Sequence, residues 1–279
     1  MMDLSISIVS WNTRDLLDRC LESIYKSASA IDFEVTVVDN TSSDGSVDMV
    51  RQKYPDVRVI SNSENVGFAR ANNQAYAMSS GKYFLLLNPD TLVLGDALNR
   101  LIDFAENHAM AGAVGPLVRN EDGSLQYTWA KFPTMLSEVI GYHDRRVIGM
   151  ARPPSDVDEA RSLAPFCVDW VGGCCLLIKR EVVEQIGLMD ESLFMYCEET
   201  DWCLRLHKAG WQVWVEPSAE IMHYGGRSSA QISQKCEQTL RRSKTSYFRK
   251  HNGPVQACVL AGLLASKSWI SHKMRKSVR

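Results

Sequence analysis

The sequence predicts an α/β protein: a mostly parallel central sheet with helices on both faces. Three observations point there. Over about the first 120 residues, short apolar β-rich runs alternate with segments of helical spacing, the pattern of linked β-α-β units. One run, Tyr83 to Leu87 (YFLLL), shows no polar alternation, as expected of a strand buried on both faces. Polar clusters then follow successive strands, where open α/β sheets place their ligands.

Taken in order, Leu4 to Trp11 (LSISIVSW) reads as a strand, and Leu16, Leu17, Cys20, Leu21 and Ile24 recur at helical spacing. Glu34 to Val38 (EVTVV) is a second strand, and Ser43-Asp44-Gly45-Ser46 caps a helix running to about Lys53. Val57 to Ser61 is a strand and Phe68 to Ser79 a helix. After the buried strand come a helix over Leu98 to Asn107 and a strand over Ala113 to Val118. Residues 131–165, with Pro133, Pro153, Pro154 and Pro165, read as an insertion or loop. Regular signal returns at Val168 to Lys179, then a helix from Glu199 to Ala209 with Gly210 as C-cap, and a strand over Trp211 to Val215. A basic helix over Ser233 to Lys250 stops at Gly253-Pro254. The expectation is one catalytic domain over 1–252 and an amphipathic basic tail over 253–279.

The 279 residues are 45% apolar and 23% charged with a formal net charge of -2, which excludes a disordered or collagen-like chain and argues against a general nucleic-acid binder. The even balance conceals a division. Residues 235–279 hold eleven Lys and Arg against Glu237 alone, a net of +10, so residues 1–234 carry -12. No secretory leader is expected, because Asp3 precedes the first apolar stretch and Asn12, Arg14 and Asp15 follow it. No run reaches the length of a membrane span; Val255 to Ala265 is the longest candidate. The eight cysteines form no CxxC pair, which speaks for buried thiols in a reducing, cytoplasmic compartment and against a zinc site.

Five constellations carry candidate chemistry. Asp39, ending the second strand, can accept hydrogen bonds from a nucleobase or ribose, although Asp44 and Gly45 beside it are explained by a capped turn. Asn65-Val66-Gly67 opens a helix whose N-terminus favours an anion, and the adjacent Asn72 and Asn73 are poor helix formers that need a reason. Asn88-Pro89-Asp90 has the composition of a turn, yet a carboxylate at a strand end suits a divalent cation shared with phosphate. Glu198, Glu199 and Asp201 suit a helix dipole, but their apolar flanks would raise carboxyl pKa values and make better bases. His223 with Gly225, Gly226, Arg227, Ser228 and Ser229 combines a metal ligand with phosphate-binding residue types.

In this order the segments SIVSWN, VVDNTSSDGS, NVGFARANN, LLLNPD, VGGCCLLIKR, LFMYCEETDWCLR and MHYGGRSS resemble family 2 glycosyltransferases of the GT-A fold, and within them the rhamnosyltransferase-like branch, over about residues 4–250. The resemblance implies an inverting sugar transfer from a nucleotide sugar, with dTDP-L-rhamnose as donor and a polyprenyl-diphosphate-linked glycan as acceptor. It implies that Ser10, Asn12, Asp39, Asn65, Gly67, Asn72, Asn88, Asp90, Gly173 and Arg227 form the nucleotide-sugar site. Asp90 and His223 would hold Mg²⁺ or Mn²⁺, and Glu199 would be the catalytic base with Glu198 as its rival. Two positions depart from the family: only the third residue of Asn88-Pro89-Asp90 is acidic, and Glu199 stands where Asp is usual. Other readings are a transferase using UDP-hexose or UDP-N-acetylhexosamine, and a nucleotide-sugar-binding module without activity. A nucleotidyltransferase or a dinucleotide oxidoreductase lacks its glycine-rich motif here.

Two apolar clusters remain: Phe132, Met135, Leu136, Val139, Ile140 and Tyr142 in the insertion, and Val255, Val259, Leu260, Leu263, Leu264, Trp269 and Ile270 in the tail. Core packing or an oligomer interface explains such faces. A membrane contact explains them too, with the tail basics on anionic lipid, and would place the protein peripherally on the inner face of the cytoplasmic membrane.

Overall fold

The computed structural model describes residues 2–28, 31–141, 143–147, 150–225 and 233–277. Among these, nine strands form one sheet in the order β3-β2-β1-β4-β10-β6-β11-β5, with β8 also paired to β11. The strands are β1 Leu4–Ser10, β2 Phe33–Asp39, β3 Arg58–Ser61, β4 Tyr83–Leu87, β5 Thr91–Leu94, β6 Ala111–Arg119, β8 Phe166–Val168, β10 Cys175–Lys179 and β11 Gln212–His223; β7 Trp129–Ala130 and β9 Trp170–Val171 make a separate ribbon. β1, β2, β3, β4, β6 and β11 run parallel, while β5, β8 and β10 oppose them.

The helices are α1 Arg14–Ser27, α2 Ser46–Lys53, α3 Phe68–Ala77, α4 Ala97–Asn107, α5 Met135–Ile140, α6 Val157–Arg161, α7 Arg180–Ile186, α8 Glu198–Lys208, α9 Ser233–Asn252 and α10 Pro254–Ser277. Each strand sends alternate residues to opposite faces, and both faces are apolar. Leu85 and Leu87 of β4 and Leu177 of β10 pack with Leu17 and Leu21 of α1 and Leu98 and Leu101 of α4. Phe84, Leu86, Leu176 and Ile178 pack with Ala69 and Ala75 of α3, Val182 of α7, and Trp202 and Leu206 of α8. The small residues of α3 bring it close to β1, where the Ser7 hydroxyl donates to Asn72 Oδ1 at 2.7 Å.

The structure adds three features to the mostly parallel sheet that the sequence predicts. β10 inserts antiparallel between β4 and β6, so the sheet is mixed. β11 continues through Pro217 to His223: a register irregularity between Glu216 and Glu220 accommodates the proline, which cannot join a regular ladder. The segment 254–277 is a helix whose first turns pack, since Ala257 and Leu260 join Tyr247 and Phe248 of α9 in a third core, with Met135 of α5 and Leu204 of α8 against it. No described helix is long and apolar enough to cross a membrane.

Gly67 shows how tightly the loops at the sheet edge fit. Its φ of +86° and ψ of 178° belong to a region open mainly to glycine, and a Cβ there would lie 2.4 Å from the Phe194 carbonyl oxygen. Gly187 has nearly the same backbone (φ +80°, ψ 174°) but open space around it. Gly67→Ala is therefore expected to destabilise by about 2–4 kcal/mol, backbone strain plus overpacking, and Gly187→Ala by strain alone. Equal urea midpoints for the two variants would show that the Phe194 contact contributes nothing.

Candidate functional site

The carboxyl ends of β1, β2, β4 and β11 share one edge of the sheet. At β2, Asp39 is buried; its Oδ2 accepts Ser42 N–H at 2.9 Å, while Oδ1 is buried without a partner. A carboxylate oxygen left this way is costly unless a ligand donor reaches it. The β1 and β2 loops are laced together: Asn12 N–H donates to Ser42 Oγ (2.8 Å), Asn12 Oδ1 accepts Ser43 N–H (2.8 Å), and Arg14 N–H reaches Asp44 Oδ2 (2.8 Å). Asn12 and Thr41 both take positive φ, 52° and 65°, in these turns.

At β4, the Asn88 carbonyl accepts the Thr91 hydroxyl at 2.6 Å, and Asn88 N–H donates to Cys174 O at 2.9 Å. The turn reading of this tripeptide is therefore correct, and the turn also aims Asp90. Register pairs His223 with Thr91, and Tyr224 N–H donates to Asp90 O at 2.9 Å. His223 Nε2 consequently stands 3.1 Å from Asp90 Oδ1 and 3.3 Å from Asn88 Nδ2, and its Nδ1 is 2.6 Å from Gln126 Oε1. An imidazole nitrogen facing a buried carboxylate oxygen suits a divalent cation, completed by phosphate and water oxygens. Among the described residues no group of three or more His, Cys, Asp or Glu forms a self-sufficient metal set. The residues fit a cation shared with a phosphate ligand.

On the other flank, the loop before α8 passes through Tyr196 (φ 72°) and Cys197 (φ 68°), two successive non-glycine residues in left-handed conformation. Such strain persists only where the surroundings hold it. Ser243 of α9 donates to Met195 O at 2.7 Å, and Phe68 N–H donates to Phe194 O at 2.7 Å. Glu198 and Glu199 follow. Burial raises both carboxyls, Glu199 to about 7 and Glu198 well above the usual range, where the Glu199 charge adds to the effect. Glu198 is buried with Oε2 unpartnered; Glu199 keeps partial exposure, and its Cβ lies 3.9 Å from where a Gly173 Cβ would stand. Glu199 thus reaches the edge beside β10, where Gly173 admits the Phe68 ring, 3.2 Å from where a Cβ would stand. The third acid is different. Burial would raise Asp201, but Lys250 and His251 of α9 and Arg205 of α8 hold it low, at 2.8, 2.7 and 2.9 Å.

Three expectations need correction. Ser10 is buried and its hydroxyl lies 3.0 Å from Thr13 Oγ1, so it shapes the turn and does not face a nucleotide. At Gly67 the glycine accommodates Phe194, whose carbonyl takes the first helix N–H that an anion would need. Asn72 is spent inside, accepting from Ser7 and donating to Phe68 O at 3.0 Å; Asn73 binds Met189 likewise. Asn65 caps the same turn, its Oδ1 accepting Gly67 N–H at 3.0 Å. Arg227 lies outside the described residues. Gln126, Ser243 and the ties of α9 to Asp201 had no local sequence signal, because each contact joins residues nearly 50 or more positions apart.

Residues 5–187 match the family model described as Glycosyl transferase family 2. The chain is 30% identical to an N-acetylglucosaminyl-diphospho-decaprenol L-rhamnosyltransferase of Mycobacterium tuberculosis, covering 98% of this chain and 93% of that protein. It is 28% identical to the rhamnosyltransferase WbbL of Escherichia coli K12, over 83% of this chain and 87% of that one. Its fold matches a mannosyltransferase from Pyrobaculum calidifontis, solved with GDP-Man and Mn²⁺, at a TM-score of 0.60 and 16% identity, over 99% of this chain and 80% of that one.

Asp201→Ala leaves Lys250 and Arg205 beside an empty buried position and is expected to cost about 3–5 kcal/mol in denaturant unfolding. Asp190→Ala removes a partly exposed partner of Lys250 together with its hydrogen bonds to Ser192, and should cost less, about 1–2 kcal/mol. Similar losses for the two would contradict the anchoring role of Asp201.

Proposed function

The chain belongs to glycosyl transferase family 2, and from that premise we propose that it transfers L-rhamnose, with inversion, from dTDP-L-rhamnose to a hydroxyl of a polyprenyl-diphosphate-linked glycan. One observation carries the reading. A carboxyl whose proton affinity is raised to about 7 stands at the same sheet edge as a carboxylate–imidazole pair fit for a diphosphate-bound cation. Donor and acceptor are supported by the names of the two relatives, one acting on a decaprenol-linked sugar, and both transferring rhamnose.

Asp39 would accept an N–H from the pyrimidine base, a role supported by its buried Oδ1 without a partner. Asp90 and His223 would hold the divalent cation, which when bound neutralises charge on the departing diphosphate. The mixed oxygen and nitrogen donors favour Mn²⁺ over the harder Mg²⁺. Glu199 takes the acceptor hydroxyl proton as that oxygen attacks the anomeric carbon from the face opposite the diphosphate. The reacting centre is oxocarbenium-like, so departure of the diphosphate dominates the barrier. Glu198, deeper and more strongly held in its neutral form, is the poorer candidate for base.

The surface supports a peripheral position on the inner face of the cytoplasmic membrane. Val255, Val259 and Leu263 are 75%, 50% and 41% exposed, one stripe of α10, and Leu136 and Ile140 of α5 are exposed as well. Tyr142 and the side chains of Trp269 and Ile270 lie outside the described residues. Much of the basic charge of α9 is used internally, since Lys244 pairs with Glu138 and Lys250 with Asp190 and Asp201.

Because Glu199 must be ionised to accept a proton, kcat/KM should fall as pH drops through about 7. Glu199→Gln should abolish that limb and lower kcat by about 10²–10⁴-fold while leaving donor binding intact; near-normal turnover by E199Q would sink the assignment. Replacing Val255, Val259 and Leu263 together by Ser should release the protein from anionic phospholipid vesicles. Undiminished vesicle binding would place the contact elsewhere.

A further inference from the structure

Gln126 follows a tight turn at the end of β6. Asn120 N–H donates to Ser124 O (2.8 Å), Gly123 N–H donates to Asn120 O (3.0 Å), and Gly123 takes φ +83°. Asn, Asp, Gly and Ser are the residues such turns favour. The chain then folds back along β6: Arg119 and Leu125 form an antiparallel bridge, and Gln126 N–H reaches Val118 O at 2.9 Å. The Gln126 side chain is thereby set beside the last residue of β11, with Oε1 2.6 Å from His223 Nδ1.

A directed series of hydrogen bonds decides which end of each amide faces which partner. Asp122 Oδ1 accepts the Ser124 hydroxyl at 2.6 Å, and an ionised carboxylate can only accept. Having given its proton there, Ser124 Oγ accepts Asn120 Nδ2 at 2.9 Å. Asn120 therefore presents Oδ1 to Gln126, whose Nε2 donates to it at 2.6 Å. Gln126 in turn presents Oε1 to His223, so Nδ1 carries a proton. Nε2 is left facing Asp90 Oδ1 at 3.1 Å and the Asn88 amide nitrogen at 3.3 Å, where a cation would take its lone pair in place of a proton shared with the carboxylate. Gly225 leaves room for this arrangement; a Cβ there would lie 3.2 Å from Gln126 Nε2.

We infer that Gln126 is a positioning residue of the cation site, its side-chain carbonyl holding His223 in the Nδ1–H tautomer so that the Nε2 lone pair faces the cation shared with Asp90. This rests on the reading of Asp90 and His223 as the cation-holding pair. Gln126 touches neither substrate nor cation and acts only through the imidazole. The physical reason is general: an imidazole ligates through its lone pair, and the group bound to its other nitrogen fixes tautomer and ring orientation.

The test uses the full chain with Mn²⁺ and dTDP, free Mn²⁺ being counted by electron paramagnetic resonance. Gln126→Leu should lower Mn²⁺ affinity by about 10–100-fold, the range for losing such a partner, and Gln126→Glu, which keeps an acceptor at the same reach, should restore it. In the metal-free protein, ¹⁵N spectra of the imidazole at mildly alkaline pH should show Nδ1 protonated in the native chain and in Q126E. That measurement does not depend on Q126L folding. A native His223 with Nδ1 unprotonated overturns the inference. So does wild-type Mn²⁺ affinity in Q126L when His223→Ala binds weakly, an outcome that leaves the Asp90–His223 pair standing. Undiminished Mn²⁺ binding by H223A would remove the pair and the inference together.

Discussion

Burial of the central sheet on both faces is the constraint on which the rest depends. Apart from the Tyr83 hydroxyl and Lys179, β4 and β10 carry no polar side chain on either face, and their neighbours add only small polar groups such as Ser5 and Ser7 to an apolar core. A buried carboxylate in mid-strand would face a desolvation cost with no partner to offset it. Polar chemistry is therefore confined to the strand ends, and the parallel strands bring several of those ends to one edge. Asp39, Asp90 and His223 all sit there. β10 contributes because it runs the other way. Its entry, after Gly173, lies beside the exit of β4, and the Cys174 carbonyl holds the Asn88 amide.

The second organising force is charge, and it works between distant parts of the chain. An acidic body and a basic C-terminal segment meet at Glu138, Asp190 and Asp201, which take Lys244, Lys250 and His251. Asp201 is fully buried, so its partners are worth far more there than on the surface. Arg205 extends the network by donating to the carbonyls of Ile186 and Leu188. The result is a fixed entry into α8, in which Tyr196 and Cys197 hold their left-handed backbone and present Glu198 and Glu199. Two carboxyls in the first turn of a helix are ordinary; burial beneath α9 changes their proton affinity.

Much of this was legible in the chain. The YFLLL run announced a strand buried on both faces, and the polar tripeptides after β2 and β4 announced the edge that carries chemistry. Other residues were read in the right place for the wrong reason. Gly67, Asn72 and Ser10 belong to the site region, but their contacts are internal: Gly67 admits Phe194, Asn72 binds Ser7, and Ser10 meets Thr13. Residue type reveals that a position is demanding without revealing which neighbour makes the demand. β5 and the second half of β11 were missed, since a four-residue strand and a strand crossing Pro217 both break the local pattern.

By itself the sequence determined the class of fold, and it offered Asp39, Asp90, Glu199 and His223 among its candidates at one sheet edge, because each depends on period, run length or residue type within a few positions. Only the tertiary structure decided the surroundings of the acidic and imidazole side chains. It separated Asp201, held by the cations Lys250 and Arg205 and by a hydrogen bond with His251, from Glu198 and Glu199, which burial leaves reluctant to ionise. It set Gln126 behind His223 and folded the basic segment onto the acidic body. Proton affinity, tautomer and charge pairing are properties of surroundings, and these surroundings are assembled from residues far apart in the chain.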